Sequence, residues 1–158
     1  MPSDGVAHTA RDGADQEQSN TNVAAAVLAA REFELFAAVG RERIVRAGER
    51  IFRRGDAGEV MYLIADGRID LDFGSDLSLK QLGPQEFFGE LGLLVGEHTR
   101  SADAVSAVDG RLFELGQDEF QQLVERDAGL VAQFLRRSIT RVVLNEQSLI
   151  RQLRQHVG

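Results

Sequence analysis

Between residues 44 and 115 the chain alternates short apolar segments with glycine-containing turns, and this pattern limits its fold more than any other feature. Apolar and polar residues alternate within the segments, as in strands with one buried face and one solvated face. So many short antiparallel strands would expose several sheet edges unless the sheet closed on itself. The pattern therefore predicts a small closed β-roll, with apolar segments at residues 51–52, 60–64, 69–73, 77–82 and 112–115.

The turns that separate these segments contain glycine beside polar residues. Two of them, Asp66 with Gly67 and Asp109 with Gly110, have the composition of two-residue β-hairpin loops. Asp-Gly favours such loops because both central residues need positive φ angles. We therefore expect a tight hairpin at each of these two positions.

Helical patterns flank the roll on both sides. Residues 23–39 repeat apolar side chains at turn spacing, and Gly40 is suited to end that helix. Residues 117–124 form a short helix, and Asp127 is a good N-cap for a second helix that runs to about His156. The predicted fold class is α+β: an antiparallel β-roll, jelly-roll-like and similar to the double-stranded β-helix of cupins, with an N-terminal helix and a long C-terminal helix.

Three segments are expected along the chain. Residues 1–22 are polar and almost lack large apolar side chains, which predicts a disordered N-terminal tail. Residues 23–126 form the roll with its N-terminal helix and short second helix, and residues 127–158 form the long C-terminal helix, a lid or dimerisation element. Its heptad-like apolar stripe predicts a homodimer, with Leu135, Ile139, Val142, Leu149 and Leu153 in the seam and Glu146 among them.

Composition excludes several classes of function. The absence of cysteine excludes disulfides, thiol redox sensing, iron–sulfur clusters and thiolate zinc sites, and the three scattered histidines predict no metal site. No apolar stretch is long enough to span a membrane and no secretory signal is recognisable, so we expect a cytoplasmic protein. A net charge of −7 argues against DNA binding by this chain alone. The arginines near its end are expected on a solvated helix face: Arg136, Arg137, Arg141, Arg151 and Arg154.

The chemistry is concentrated in residues 87–102, which read FFGELGLLVGEHTRSA. A strand leads to Gly89, where a short helix begins, and the free backbone N–H groups of a helix start favour an anion. Glu90 is suited to accept a hydrogen bond from a sugar hydroxyl. Arg100 supplies a planar guanidinium for a phosphate, and Ser101 adds a hydroxyl group. The segment contains no nucleophile–base pair, so we expect a binding protein and not an enzyme.

With these residues the chain resembles the cyclic nucleotide-binding domain family, the sensor module of catabolite activator proteins, protein kinase A regulatory subunits and nucleotide-gated channels. The segment matches the family's phosphate-binding cassette: FGE, a short helix, then arginine, a small or hydroxyl residue and alanine. The resemblance covers roughly residues 40–150. The family's strand and turn residues follow in the same order upstream: Gly48 and Glu49, Ile51 and Phe52, Gly55 and Asp56, residues 61–64, and Gly67.

The resemblance implies roles for individual residues. Glu90 would accept from the ribose 2′-hydroxyl, Arg100 would pair with the cyclic phosphate, and Ser101 with the backbone amides near Gly89 would complete the phosphate site. An ungapped count places Arg141 near the ribose glutamate, and Asn145 and Glu146 at the base. The predicted binding set is Phe88, Gly89, Glu90, Leu91, Gly92, Arg100, Ser101, Ala102, Arg141, Asn145 and Glu146.

Three departures from the family pattern remove no ligand contact. Thr99 stands where many members have proline or another small residue, Gln85 replaces a common glycine before the cassette, and Gly92 replaces the usual alanine. Glycine in place of alanine costs the short helix about 1 kcal/mol of helix propensity.

The predicted function is a sensor that binds a cyclic nucleotide, with cAMP favoured over cGMP, and that passes the signal through its C-terminal helix to a protein partner. Asn145 suits adenine, whereas Ser101 and Glu146 suit guanine. No other cofactor is expected. Two alternatives remain: a degenerate roll that serves as a dimerising scaffold and binds no nucleotide, and a fragment of a catabolite activator-like transcription regulator without its helix–turn–helix.

Overall fold

Two four-stranded antiparallel sheets make up the roll. The computed structural model describes residues 27–74 and 79–157, with side chains up to residue 144. The sheets have the strand orders β1-β8-β3-β6 and β2-β7-β4-β5, which confirms the predicted antiparallel β-roll. The strands are β1 (Arg41–Val45), β2 (Arg50–Phe52), β3 (Met61–Asp66), β4 (Ile69–Asp72), β5 (Lys80–Leu82), β6 (Phe87–Phe88), β7 (Asp103–Ser106) and β8 (Gly110–Leu115).

The two Asp-Gly turns are corners between the sheets, so the prediction of two hairpins is wrong. The first joins β3 to β4 and the second joins β7 to β8, and the strands of each pair belong to different sheets. The turns also lie against each other, since a Cβ atom on Gly67 would be 3.1 Å from the Cα of Gly110. Gly67 has a φ of +106°, a conformation that favours glycine. The two glycines therefore allow the chain to cross from one sheet to the other at these closely packed turns.

The helices are α1 (Ala30–Val39), α2 (Glu90–Leu94), α3 (Gln117–Arg126) and α4 (Ala128–Val157). The predicted start of the first helix at residue 23 is wrong for residues 27–29. Val27 instead pairs with Glu86 as an extended bridge, and the Leu28 N–H donates to the Gln85 carbonyl at 2.9 Å. α1 begins where Glu32 accepts a hydrogen bond from the Ala29 N–H at 3.0 Å. The predicted N-terminal tail lies outside the described residues.

Asp127 caps α4 as predicted, since its Oδ1 atom accepts the Leu130 N–H at 3.0 Å. The chain divides into two compact units, of which the first is Val27–Val131 and the second contains α4 from Ala132 onward. The predicted boundaries at residues 22 and 126 stay predictions. Across the described residues, no helix combines the length and the apolar character needed to cross a membrane.

The core of the first unit lies between the sheets, where inward side chains of both meet. Inward positions alternate along the strands, as in β4, where Ile69 and Leu71 are buried and Asp72 is exposed. The buried members of this cluster are Val45, Tyr62, Ile64, Ile69, Leu71, Leu82, Phe88, Ala102, Ala104 and Leu112. Phe88 and Ala102 belong to the predicted cassette, so the segment is fixed at both ends by core packing.

Candidate functional site

The cassette begins where β6 ends. Phe88 is buried, and the next residue, Gly89, has a φ of +73°, so the chain turns sharply out of the sheet into α2. Glu90 is the first residue of this helix and its side chain is only 2% exposed. A buried carboxylate needs hydrogen-bond donors around it. A sugar hydroxyl is a donor of this kind.

Arg100 is the central charged residue of this region and is 5% exposed. Its Nη1 atom donates to the Gly89 carbonyl at 2.9 Å, and its Nη2 atom donates to the Val60 carbonyl at 2.7 Å. Its backbone is also held, because its N–H donates to the Asp56 carbonyl and its own carbonyl accepts the Gly55 N–H, both at 2.8 Å. A guanidinium has five N–H donors, so further donors remain for a ligand after the two carbonyls are bound.

Three glycines surround the guanidinium. A Cβ atom on Gly58 would lie 2.5 Å from the Arg100 Cζ atom, and one on Gly89 or Gly92 would lie 2.7 or 2.8 Å from Nη1. Real Cβ atoms do not approach other heavy atoms so closely. The arginine therefore occupies a space that exists only because these positions lack a side chain.

An aromatic cluster lies beside the same guanidinium. The Arg100 Cζ atom is 4.4 Å from the centre of the Phe52 ring and 5.7 Å from that of Tyr62. Phe88 stacks on Tyr62, with ring centres 5.0 Å apart and an interplanar angle of 15°. The cation thus rests on a packed aromatic surface, which attracts positive charge.

In the described part of the chain, Arg100 forms no ion pair with an acidic side chain. Burial lowers the pKa of its guanidinium, and Tyr62, through charge and a side-chain hydrogen bond, followed by the charge of Asp56, opposes that effect only in part. Burial, followed by the charge of Arg100, also lowers the pKa of His98. A buried cation held by neutral groups is a favourable place for an anion.

The far end of the cassette helix is attached to α3. The Gln117 Nε2 atom donates to the Leu93 carbonyl at 2.6 Å. This carbonyl lies in the last turn of α2, where carbonyl groups lack helical partners. Gln117 therefore fixes the end of the cassette helix to the start of α3.

A model of the cyclic nucleotide-binding domain family matches residues 42–127, which is more than half of the chain. The chain belongs to the cyclic nucleotide-binding domain family. The resemblance stated from the sequence is confirmed, and residues 87–102, the predicted phosphate-binding cassette, lie within the matched range. The family is a cyclic nucleotide-binding regulatory domain.

Individual relatives agree with this assignment. The chain is 37% identical to the cyclic AMP receptor protein of Thermus thermophilus over 103 residues, which cover 63% of this chain and 47% of that protein. It is 34% identical to a cAMP-dependent protein kinase regulatory subunit of Eremothecium gossypii over 83 residues, 52% of this chain and 18% of that subunit. The chain thus spans less than half the length of these curated relatives.

Solved structures of related domains have the same fold. One, from work on a cyclic-GMP-dependent signalling pathway that regulates bacterial phytopathogenesis, is 57% identical, with a TM-score of 0.72, and the match covers 75% of this chain and 96% of that chain. The catabolite activator protein of Thermus thermophilus is 31% identical, with a TM-score of 0.66, over 80% of this chain and 60% of that chain.

The cyclic nucleotide-binding domain brings most of the predicted binding residues together. Gly89 and Gly92 lie against the Arg100 guanidinium, Phe88 belongs to the aromatic cluster beside it, and Glu90 and Leu91 follow Gly89 in α2, whereas Ser101 is exposed and Ala102 is buried. Arg141 lies in the second unit, and burial lowers its pKa to about 10. Asn145 and Glu146 lie in α4, but their side chains are outside the described residues. Their roles in binding stay predictions.

Sequence reasoning missed the groups that hold Arg100. The ring of Phe52, the carbonyl of Val60 and the close approach of Gly58 have no chemical signature of their own. The spacing of Gly55 and Gly58 before a strand was a usable signal, but it predicts a turn and not a neighbour for an arginine 42 residues later. A clearer signal exists for a different feature, the backbone conformation before the cassette. Gln85 replaces a glycine that is common in the family, and its φ is +71°.

Proposed function

We propose that this chain is a cyclic nucleotide sensor in which Arg100 pairs with the cyclic phosphate and Glu90 accepts a hydrogen bond from the ribose 2′-hydroxyl. One observation carries the proposal: a buried arginine is held by two carbonyls and an aromatic ring, and within residues 27–74 and 79–144 no carboxylate forms an ion pair with it. Burying an uncompensated charge costs several kcal/mol, and a phosphate offsets that cost. Family membership supports the same chemistry.

Titration calorimetry with cGMP and cAMP tests this proposal. Arg100→Ala should weaken binding by about 2–5 kcal/mol, at least about 30-fold in Kd, because it leaves a buried phosphate unpaired. Arg111→Ala is the matched control, since this arginine also lies over a phenylalanine but pairs with Asp66 on the surface. The proposal fails if the wild type binds neither nucleotide or if both variants keep the wild-type affinity. Failure of the wild type to bind would favour the scaffold interpretation.

We propose further that cGMP is the preferred nucleotide. The related structure from a cyclic-GMP-dependent pathway supports this choice by its 57% identity. The exposed Ser101 hydroxyl also supports it, because Ser101 follows Arg100 directly in the chain. A hydroxyl group can accept a hydrogen bond from the N2 amino group of guanine, which adenine lacks. The cAMP preference expected from the sequence is the competing outcome.

Ser101→Ala distinguishes the two nucleotides. Loss of one hydrogen bond of about 1 kcal/mol should weaken cGMP binding about fivefold and leave the Kd for cAMP unchanged. Ser138→Ala, which removes a hydroxyl group from α4, controls for the general effect of losing a serine. Tighter binding of cAMP than of cGMP by the wild type would overturn the cGMP proposal and leave the sensor proposal standing.

We propose that α4 joins two copies of the chain and passes the signal of bound nucleotide to a protein effector. Support comes from its exposed apolar side chains, because Ile139 is 64% exposed and Val143, one turn later, is 46% exposed. Exposed apolar residues repeated at helical spacing favour a helix pair. Ile139→Glu should shift the sedimentation coefficient from dimer to monomer, whereas Thr140→Glu on the neighbouring exposed position should not. A wild type that sediments as a monomer refutes the dimer.

A further inference from the structure

The contact between Arg100 and Phe52 helps to hold the arginine, but no role in binding has been assigned to Phe52 itself. The guanidinium carbon lies 4.4 Å from the centre of the Phe52 ring, inside the roughly 6 Å range of a cation–π interaction. The ring itself is held by two others, with its centre 5.8 Å from that of Tyr62 and 5.9 Å from that of Phe88. Both of these rings belong to buried core residues.

The Phe52 ring makes a contact that the carbonyl neighbours of Arg100 do not make, and it lies closer to the Cζ atom than the Tyr62 ring, which is 5.7 Å away. The carbonyls of Gly89 and Val60 accept hydrogen bonds from two terminal nitrogen atoms, whereas the Phe52 ring lies against the guanidinium carbon. A ring contact of this kind holds the arginine without accepting any of its N–H hydrogen bonds. A carboxylate in the same place would pair with the arginine and compete with a phosphate.

We propose that Phe52 is a positioning residue, whose aromatic face holds the Arg100 guanidinium in its phosphate-binding orientation before the nucleotide arrives. This inference rests on the proposed function, because it assumes that Arg100 meets the phosphate. An arginine side chain that is already ordered loses little conformational entropy on binding. If the cation–π interaction is weakened, only a fraction of the molecules hold Arg100 in the phosphate-binding orientation. The apparent Kd then rises, because it equals the intrinsic Kd divided by that fraction.

Fluorinated phenylalanines at position 52 test the electrostatic role directly, because fluorine withdraws electron density from the aromatic face while it changes the ring volume little. The Kd for cGMP should rise stepwise with fluorine content, by about 2- to 30-fold over the series. The same series at Phe113, which lies 5.7 Å from the Cζ atom of Arg111, should leave the Kd unchanged. A purely structural role of the Phe52 ring would not produce a graded dependence on fluorine content. Phe52→Leu should weaken binding as well, and Phe113→Leu should not.

Each outcome of this series decides the inference. A Kd that stays constant across the Phe52 series means that the ring only fills space, and a Kd that falls means that the ring holds Arg100 away from the nucleotide; either result overturns the proposal. Similar rises for the Phe52 and Phe113 series overturn it too, since the effect would then be global. If the wild type binds no cyclic nucleotide, the proposed function itself fails, and that failure is visible before any variant is measured.

Discussion

Substitution of Gly58 by alanine perturbs the site without removing any of its functional groups. A Cβ atom at this position would collide with the Arg100 Nε atom and lie 2.5 Å from Cζ and 2.9 Å from Cδ. The guanidinium is the far end of a flexible side chain, so it moves more easily than the surrounding backbone. A displacement of about 1 Å, needed to restore an ordinary carbon contact of about 3.5 Å, pulls Arg100 from its two carbonyl acceptors.

The expected magnitudes follow from these contacts. Hydrogen bonds to charged groups contribute about 1.5–3 kcal/mol each, and both are weakened but not removed. Alanine also restricts the unfolded chain, which returns about 0.4–1 kcal/mol. We therefore expect Gly58→Ala to lower the unfolding free energy by about 1–2 kcal/mol. For binding, the displaced charge stays in the site, so the loss should lie at the lower end of the range for a broken buried pair, about 2 kcal/mol or about 30-fold in Kd.

Calorimetric titration with cGMP, together with denaturant unfolding, separates these two effects. Gly48→Ala is the matched control, because Gly48 has a φ of +84° and nothing lies within 4 Å of its missing Cβ atom. Alanine there costs about 1–2 kcal/mol of backbone strain, a similar loss of stability, and should leave the Kd unchanged. Equal Kd values for Gly58→Ala and a nucleotide-binding wild type would refute the claim that the position of Arg100 controls binding.

Three further predictions concern neighbouring groups. Gln117→Ala removes the donor to the Leu93 carbonyl and should lower the unfolding free energy by about 1 kcal/mol in denaturant titrations; an unchanged midpoint would show that the bond contributes nothing. Nucleotide binding should raise the pKa of His98, which burial and then the charge of Arg100 lower in the free protein, because a phosphate offsets that charge; NMR titrations with and without cGMP check this, and coincident curves contradict it. The pKa of Glu49 is lowered first by a backbone hydrogen bond and then by an arginine, so its contribution to stability is complete above its unfolded pKa of 4.5 and is lost as the pH falls through the lower folded value. Glu49→Gln should flatten that acidic part of the stability profile, and an unaltered profile would show that Glu49 is not responsible for it.

The sequence predicted features that depend on local chemistry. The glycine before Glu90 predicts a turn into a short helix, and Asp127 predicts a helix start. Both predictions hold because a positive φ and an N-cap hydrogen bond each act within a few residues. The prediction of two hairpins is wrong because strand pairing depends on residues that are far apart in the sequence. Asp66 with Gly67 has hairpin composition, but the sheet in which each flanking strand pairs is decided by distant partners, with β3 bound to β8 and β4 bound to β7. Turn chemistry specifies a reversal of the chain and does not specify which strands become neighbours.

The start of the first helix shows the same limit. Alanine-rich residues before position 30 favour a helix by propensity, yet Val27 and Leu28 pair with the segment that precedes the cassette. Tertiary hydrogen bonds outweigh a propensity of a few tenths of a kcal/mol per residue. The pairing also involves the carbonyl of Gln85, which explains why its positive φ persists without glycine: its N–H and carbonyl groups are both bonded.

Neutral acceptors around Arg100 are what make the site suitable for an anion. An acidic side chain in place of the Val60 carbonyl would hold the guanidinium more strongly, but a phosphate would then have to displace it at a cost of several kcal/mol. Carbonyl dipoles and an aromatic face hold the arginine, and no carboxylate of the described part of the chain forms an ion pair with it. Such an arrangement requires backbone to approach the guanidinium from more than one side, and only glycine allows that approach at Gly58, Gly89 and Gly92. The three glycines and Arg100 therefore form one cluster, the core of the proposed binding site, although they are separated by up to 42 residues in the chain.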